Sequence, residues 1–184
     1  MTNLYFVRHA HSTYTPDERQ RPLSEQGLLD AEKLTNILKH ENIDYVLSSP
    51  YKRAIQTVEG IAEYIEKEII IEEDLRERNL SDDPVEDFYF AMKKVWDDPS
   101  FSLKGGESNQ TAQVRGVHAT LQIIEEFKGK NIVIGTHGNI MVLIMNYFDK
   151  KYNFEFWKEL SMPDIYRLEF DKGKLKDVNR IINI

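Results

Sequence analysis

Ile132-Val133-Ile134-Gly135 runs without a single polar alternation. A strand with one wet face alternates apolar and polar residues, whereas a strand covered on both faces does not. Leu4-Tyr5-Phe6-Val7 has the same unbroken apolar character near the start of the chain. Covering both faces of a sheet takes two further layers. Between and beyond these runs, segments of helical and strand periodicity alternate, which is the pattern of a layered α/β fold with a largely parallel sheet. The expected architecture is a three-layer α/β/α sandwich whose sheet is mixed and mostly parallel, closed by a C-terminal antiparallel hairpin.

The segments can be placed in order. Ser24-Glu25-Gln26-Gly27 opens a first helix with Ser24 as N-cap, and Leu28, Ala31, Leu34 and Leu38 follow at helical spacing. Ile43 to Leu47 reads as a strand, and Ala54, Ile55, Val58, Ile61, Ala62 and Ile65 mark the apolar stripe of a second helix. Ile69-Ile70-Ile71 is a short β-branched strand. Residues 79–109, with Asp82-Asp83-Pro84, Asp97-Asp98-Pro99 and Gly105-Gly106, are the least regular stretch and read as a lid-like insertion within one domain spanning 1–184. A short helix is expected there between Val85 and Trp96, with Phe88, Tyr89, Phe90, Trp96 and Phe101 packing the insertion onto the body. A long helix follows from Ser108 to Phe127, carrying Val114, Val117, Leu121, Ile124 and Phe127 on one face. After Ile132–Gly135, another helix runs from Gly138 through Tyr147. Ile165 to Phe170 and Leu175 to Ile181, joined at Asp171-Lys172-Gly173-Lys174, form the terminal hairpin.

Composition excludes several functions. With no cysteine there is no disulfide, thiol nucleophile or zinc–thiolate site. A net charge of −7 argues against broad binding to nucleic acid or anionic membrane, so any positive charge used on a substrate must be gathered locally. The most apolar late run, Ile140 to Phe148, is too short to span a bilayer. No secretory pattern is visible at the N-terminus, and the expected compartment is the cytoplasm.

The chemistry-bearing residues fall at predicted strand ends, where open α/β sheets place their ligand crevice. Arg8 and His9 end the first apolar run. Ser48-Ser49-Pro50-Tyr51-Lys52-Arg53 leads from a strand into a helix and puts Arg53 in its first turn. Leu75-Arg76-Glu77 follows the third strand. Thr136-His137-Gly138 follows the most apolar strand, with Gly138 permitting close backbone approach at a helix start. Cations, imidazoles and one carboxylate around a single sheet edge suit chemistry on an anion. His9-x-His11 is also a metal-ligand spacing, which with His137 leaves a metal-dependent hydrolase open.

At this point the chain resembles the histidine phosphatase superfamily, in its phosphoglycerate mutase-like branch. The family's Arg-His-Gly motif reads here Arg8-His9-Ala10, and the likeness continues in Pro22-Leu23-Ser24-Glu25-Gln26-Gly27, Ser48 to Thr57, Leu75-Arg76-Glu77, Gly105-Gly106-Glu107-Ser108 and Thr136-His137-Gly138-Asn139. The resemblance implies a nucleophilic His9 that forms a phosphohistidine, with Arg8, Arg53 and His137 around the phosphoryl oxygens and Glu77 as general acid and base. Ser12, Thr15 and Gly138 are implied as further substrate contacts. No metal and no cofactor is implied, and the substrate is a small phosphate ester or a phosphoprotein.

The chain departs from the family pattern at Ala10, His11 and Ser12, at Thr15 where mutases have an Asn, and at Asn139 where a second Gly is common. These changes leave the phosphotransfer residues in place and favour a phosphatase over a mutase. Loss of turnover in a phosphate-binding module is a further alternative, against which the joint presence of His9, Arg8, Arg53, Glu77 and His137 argues. Glu107 reads as a helix-start carboxylate that supports the site. Glu72, Glu73 and Asp74 read as a solvated charge run, His40 and His118 as helix residues, and His11 as a loop or pocket residue; Arg21 and Arg78 stay open as substrate contacts without being assigned to the site.

Overall fold

A computed structural model describes residues 1–182, so the last two residues of the expected 1–184 domain lie outside the described residues. Six strands form one sheet in the order β3-β2-β4-β1-β5-β6. They are β1 (Thr2–Arg8), β2 (Tyr45–Ser48), β3 (Ile70–Ile71), β4 (Asn131–Thr136), β5 (Asp164–Asp171) and β6 (Lys174–Ile182). The first four are mutually parallel; β5 runs antiparallel to β1, and β6 antiparallel to β5. The helices are α1 (Glu25–Leu38), α2 (Lys52–Tyr64), α3 (Phe88–Asp97), α4 (Asn109–Glu126), α5 (Gly138–Phe148) and α6 (Phe154–Lys158).

The pleat of β1 explains the layering. Successive side chains of a strand point to opposite faces. Leu4 and Phe6 join the core formed with α4 and α5, including Ile123, Ile124, Ile140 and Ile144. Tyr5 and Val7 join the core formed with α1 and α2, including Leu34, Leu38, Val58 and Ile61. β4 divides in the same way, with Ile132 and Ile134 on one side and Val133 on the other. Helices therefore cover both faces, as the unbroken apolar runs require.

Several expectations need correction. Leu28 is exposed, because the buried stripe of α1 is Gly27, Ala31, Leu34 and Leu38. Val114 and Leu121 are also exposed; α4 buries Ala112, Gly116, Ala119, Thr120 and Ile123 instead. Small side chains let α4 lie close to α5: a Cβ on Gly116 would stand 2.9 Å from Ile144 Cγ1. The eye is drawn to large residues, but this close helix pair is built from small ones. Phe90 is exposed; Phe88 and Tyr89, also exposed in part, do lie against Trp157 and Phe154 of α6 with ring centroids 6.2 and 5.5 Å apart, while α3 seats itself through Ala91, Met92 and Val95. The strand expected at Ile69–Ile71 is reduced to two exposed edge residues. A 3-10 turn at Glu73–Leu75 and the short α6 are additional to the expected elements. Glu72, expected only as solvated charge, caps that turn by accepting from Asp74 N at 3.0 Å.

Ser24 is the N-cap of α1 and accepts from Gly27 N at 3.1 Å. Its own N–H donates to His11 O at 2.9 Å, which docks the helix start on the loop after β1. Gly27 faces that loop so closely that a Cβ there would lie 2.1 Å from His11 O, a backbone atom that cannot swing away. Gly27→Ala should therefore lower stability by about 1–3 kcal/mol through overpacking. Leu28→Ala, one residue along on the exposed face, should stay within about 0.5 kcal/mol. Denaturant midpoints of the two variants check this, and a costly Leu28→Ala would contradict the register of α1.

Candidate active site

The carboxyl ends of β1, β2 and β4 lie side by side because β4 is inserted between β2 and β1. The ladder bonds continue past the strand ends. His9 N donates to Thr136 O at 3.0 Å, and Ser49 N donates to Gly135 O at 2.8 Å. Thr136 Oγ1 donates to Leu75 O at 2.9 Å and so ties in the segment leading to Glu77. Three loops that are far apart in sequence are thus anchored to the last two residues of one strand.

His9 is 8% exposed. Its Nδ1 lies 2.7 Å from Ala10 O. A carbonyl can only accept, so Nδ1 carries the proton and Nε2 presents a lone pair. Arg53 Nε donates to that Nε2 at 3.2 Å, which agrees with the assignment. Burial, reinforced by Arg53, Arg8 and Arg21, pushes the His9 pKa down to about 3 against the opposing bond to Ala10 O. The imidazole is neutral at neutral pH.

His137 is 1% exposed and its ring centroid is 5.2 Å from that of His9. Burial, then the neighbouring His9 and the arginines, holds its pKa well below the usual histidine range. Its Nε2 lies 2.7 Å from Ser49 Oγ. Ser49 Oγ already accepts from Tyr51 N at 3.3 Å, and among the described residues its hydroxyl proton has no acceptor other than His137 Nε2. The proton of His137 therefore sits on Nδ1, a buried donor without a partner among the described residues. An unpaired buried donor is costly unless a ligand completes it.

Arg53, in the first turn of α2 as its position implies, is held by Glu18 through Nη1 to O at 2.8 Å and Nη2 to Oε1 at 3.1 Å, and lies over the Tyr51 ring. Arg8 donates through Nη1 to Ser161 O at 3.2 Å, while its Nε is unpartnered. Burial lowers both arginine pKa values from the ordinary range, yet a guanidinium stays charged. Gly138 makes the close approach its position suggests: a Cβ there would be 2.9 Å from Arg8 Nε. Glu77 accepts from Arg78 N at 2.8 Å and, at the start of α5, from Asn139 N and Ile140 N, both at 3.0 Å.

Arg8, His9, Glu77 and Gly138 line a cleft of about 790 Å³, with Arg53 and His137 directly behind His9. Ser12 and Thr15, expected as substrate contacts, are not brought into it. Ser12 pairs in a bridge with Leu23, and Thr15 Oγ1 donates to Asp17 O at 2.9 Å. His11 is exposed and bonds Ser24 Oγ at 2.8 Å, so it does not share a site with His9. Among the described residues no three His, Asp or Glu side chains are grouped as metal ligands.

Sequence reasoning missed Glu18, Tyr51 and Ser49, whose loops gave no periodic signal. It named Arg78 without assigning it: the residue is 5% exposed on the cleft wall, its Nε and Nη1 lack partners among the described residues, and its Nη2 reaches only Met92 Sδ, at 2.9 Å. Leu80, Val85, Phe88, Met92 and Trp157 add apolar surface to the cleft lining.

Residues 4–181 match the sequence profile of the histidine phosphatase superfamily, branch 1. The chain belongs to that superfamily. Among superfamily relatives, phosphoglycerate mutase-like protein 4 of Arabidopsis thaliana is 29% identical over 73% of this chain, a match spanning 66% of that protein, just under two thirds of its length. Phosphoserine phosphatase 1 of Hydrogenobacter thermophilus is 27% identical over 74% of this chain and 71% of its own. The fold matches that of YhfR from Bacillus stearothermophilus with a TM-score of 0.78 at 24% identity, over 96% of this chain and 95% of that one. A mycobacterial glucosyl-3-phosphoglycerate phosphatase superposes with a TM-score of 0.75 at 18% identity, covering 97% and 96% of the two chains.

The two neutral imidazoles carry a consequence for stability. In the unfolded chain each takes a proton near pH 6.5, whereas folded His9 resists protonation until about pH 3 and His137 is also well depressed. The unfolded state then binds more protons, so these groups favour folding above pH 6.5 and that contribution is lost as pH falls toward 3. His9 should contribute roughly 1 kcal/mol per pH unit across this window, and His137 adds to it in the same direction. Urea midpoints in phosphate-free buffer should fall steadily from pH 7 to 4, and His9→Asn should flatten the slope. An unchanged slope in that variant would contradict the buried neutral state of His9.

Proposed function

We propose that this chain is a metal-independent phosphatase that hydrolyses a small phosphomonoester through a phosphohistidine on His9. The observation that carries the reading is the His9 geometry: Nδ1–H is fixed on Ala10 O, which leaves the Nε2 lone pair among buried guanidinium groups. Nε2 attacks phosphorus and the P–O bond to the leaving group breaks. Glu77, in its protonated form, gives its proton to the departing oxygen. Water then attacks phosphorus, returning a proton to Glu77; the P–N bond breaks, and phosphate leaves with His9 neutral again. Arg8, Arg53, the Nδ1–H of His137 and the helix start at Gly138 hold the phosphoryl oxygens, since phosphoryl transfer depends chiefly on positioning and charge. Arg53 Nε passes from His9 to a phosphoryl oxygen as the lone pair is used.

The names of relatives, among them phosphoserine and glucosyl-3-phosphoglycerate phosphatases, support a small phosphorylated metabolite as substrate. In this reading segment 79–109 is the lid of a single domain and the enzyme works in the cytoplasm. Among the described residues no helix is long and apolar enough to cross a membrane.

Turnover of an aryl phosphate should survive exhaustive chelation and be abolished by His9→Ala. Revival only on adding a divalent metal would favour a metal hydrolase, and transfer to a second alcohol without free phosphate would favour a mutase. Glu77→Gln should slow alkyl ester hydrolysis by about 10²–10⁴-fold and affect an aryl ester with an acidic phenol far less, because only the alkoxide needs a proton to leave. Equal losses on both esters would remove Glu77 from the acid role.

A further inference from the structure

The segment that carries Glu77 has no strand to hold it. β3 ends at Ile71, a single 3-10 turn follows, and residues 76–79 run free of any ladder. The first turn of α5 holds the Glu77 carboxylate, and a side chain of α4 fixes the backbone that carries it. Arg115 Nη1 donates to Asp74 O at 2.7 Å and to Arg76 O at 2.9 Å. The remaining edge of the same guanidinium is taken by Glu107, with Nε to Oε1 and Nη2 to Oε2 both at 2.8 Å. Glu107 N donates in turn to Asn79 O at 2.8 Å, on the far side of Glu77. With Thr136 Oγ1 on Leu75 O, the carbonyls of residues 74, 75, 76 and 79 are all held, and Glu77 lies inside that frame.

We infer that Arg115 and Glu107 are positioning residues that aim the Glu77 carboxylate at the leaving oxygen. The inference rests on the reading of Glu77 as general acid. The pair is largely buried, with side chains 10% and 18% exposed, so its geometry is screened little by solvent. A guanidinium fork can bridge two carbonyls and a carboxylate at once; an ammonium, as a point charge, cannot. The arrangement is specified as a unit: Glu107 fixes the plane of the fork, and the fork fixes the backbone on the N-terminal side of Glu77. Neither side chain lines the cleft, so the pair acts on the reaction only through the backbone that carries Glu77 and its neighbour Arg78.

The test compares an alkyl phosphate with an aryl phosphate of an acidic phenol in purified full-length protein. Arg115→Lys keeps the charge and removes the fork. It should lower kcat for the alkyl ester by about 10-fold or more while aryl turnover stays within about 3-fold, and KM for both should change less than about 2-fold. Retained aryl turnover also certifies that the variant is folded. Glu107→Gln should shift the two substrates in the same direction by a smaller factor. In the Glu77→Gln background, Arg115→Lys should add less than about 2-fold to the alkyl defect, since two changes acting through one group are not additive. If Glu77→Gln splits the substrates but Arg115→Lys lowers both equally, or neither, the positioning role is overturned and the acid assignment stands. Full additivity of the two changes overturns it as well. If Glu77→Gln itself gives no split, the acid assignment and the positioning role fall together.

Discussion

The last two residues of β4 hold the site together. Gly135 O takes the N–H of Ser49, Thr136 O takes that of His9, and Thr136 Oγ1 reaches Leu75 O. His137 follows directly. Because β4 lies between β2 and β1, these bonds cost nothing beyond the ladder's own geometry. They convert the register of a parallel sheet into the relative placement of two imidazoles and two arginines. Strand ends are suited to this, since a rigid ladder stops there and the next residue is free to point outward. A slip of β4 against either neighbour would dismantle the cluster at once, because one residue of slip turns every side chain to the opposite face.

The electrostatics follow from the same burial. The chain as a whole is acidic, with a net charge of −7, yet Arg8 and Arg78 line the cleft and Arg53 lies against His9. Burial lowers the pKa of each arginine, and the carboxylates nearby oppose that: Glu77 and Asp164 for Arg8, Glu18 and Glu77 for Arg53, Glu77 and Glu107 for Arg78. Guanidinium groups remain charged through such shifts, whereas imidazoles do not. The same environment therefore yields fixed cations and neutral imidazoles side by side. A histidine is nucleophilic only without its second proton, so the crowd of arginines that would attract a phosphate also keeps His9 in the reactive form.

Much of this was legible in the sequence, for definable reasons. Unbroken apolar runs at Leu4–Val7 and Ile132–Gly135 encode burial on both faces, and the layers followed. Arg8, His9 and His137 were legible because they end or directly follow strands whose ends were easy to place, and Arg53 because it opens the helix after one. Glu77 was placed at a strand end by the pattern, but its role as acid came only from the family resemblance, since its strand is two residues long and the turn after it carries no periodicity. The face of α4 was misjudged because Ala112, Gly116 and Ala119 carry little hydrophobic signal, though they let α4 lie close to α5. Ser49 and Glu18 were invisible for another reason. Their roles lie in hydrogen bonds to residues 88 and 35 positions away, and no local pattern records such a pairing.

The departure at Asn139 finds its explanation in the same helix start. Where relatives commonly have a second Gly, this chain has a buried amide that accepts from Trp96 Nε1 at 3.0 Å and donates to Asn109 Oδ1 at 3.3 Å. Trp96 belongs to α3 and Asn109 to the first turn of α4, so one side chain joins three helices. The backbone N–H of that residue is one of the donors on Glu77, and the residue before it lies against Arg8. A buried amide left without partners would be costly, so Asn139 demands that α3 be seated. The seating of segment 79–109 is thereby coupled to the first turn of α5. A Gly at 139 would leave that turn free of any side-chain tie to α3, and the irregular segment would be held to it by apolar packing alone.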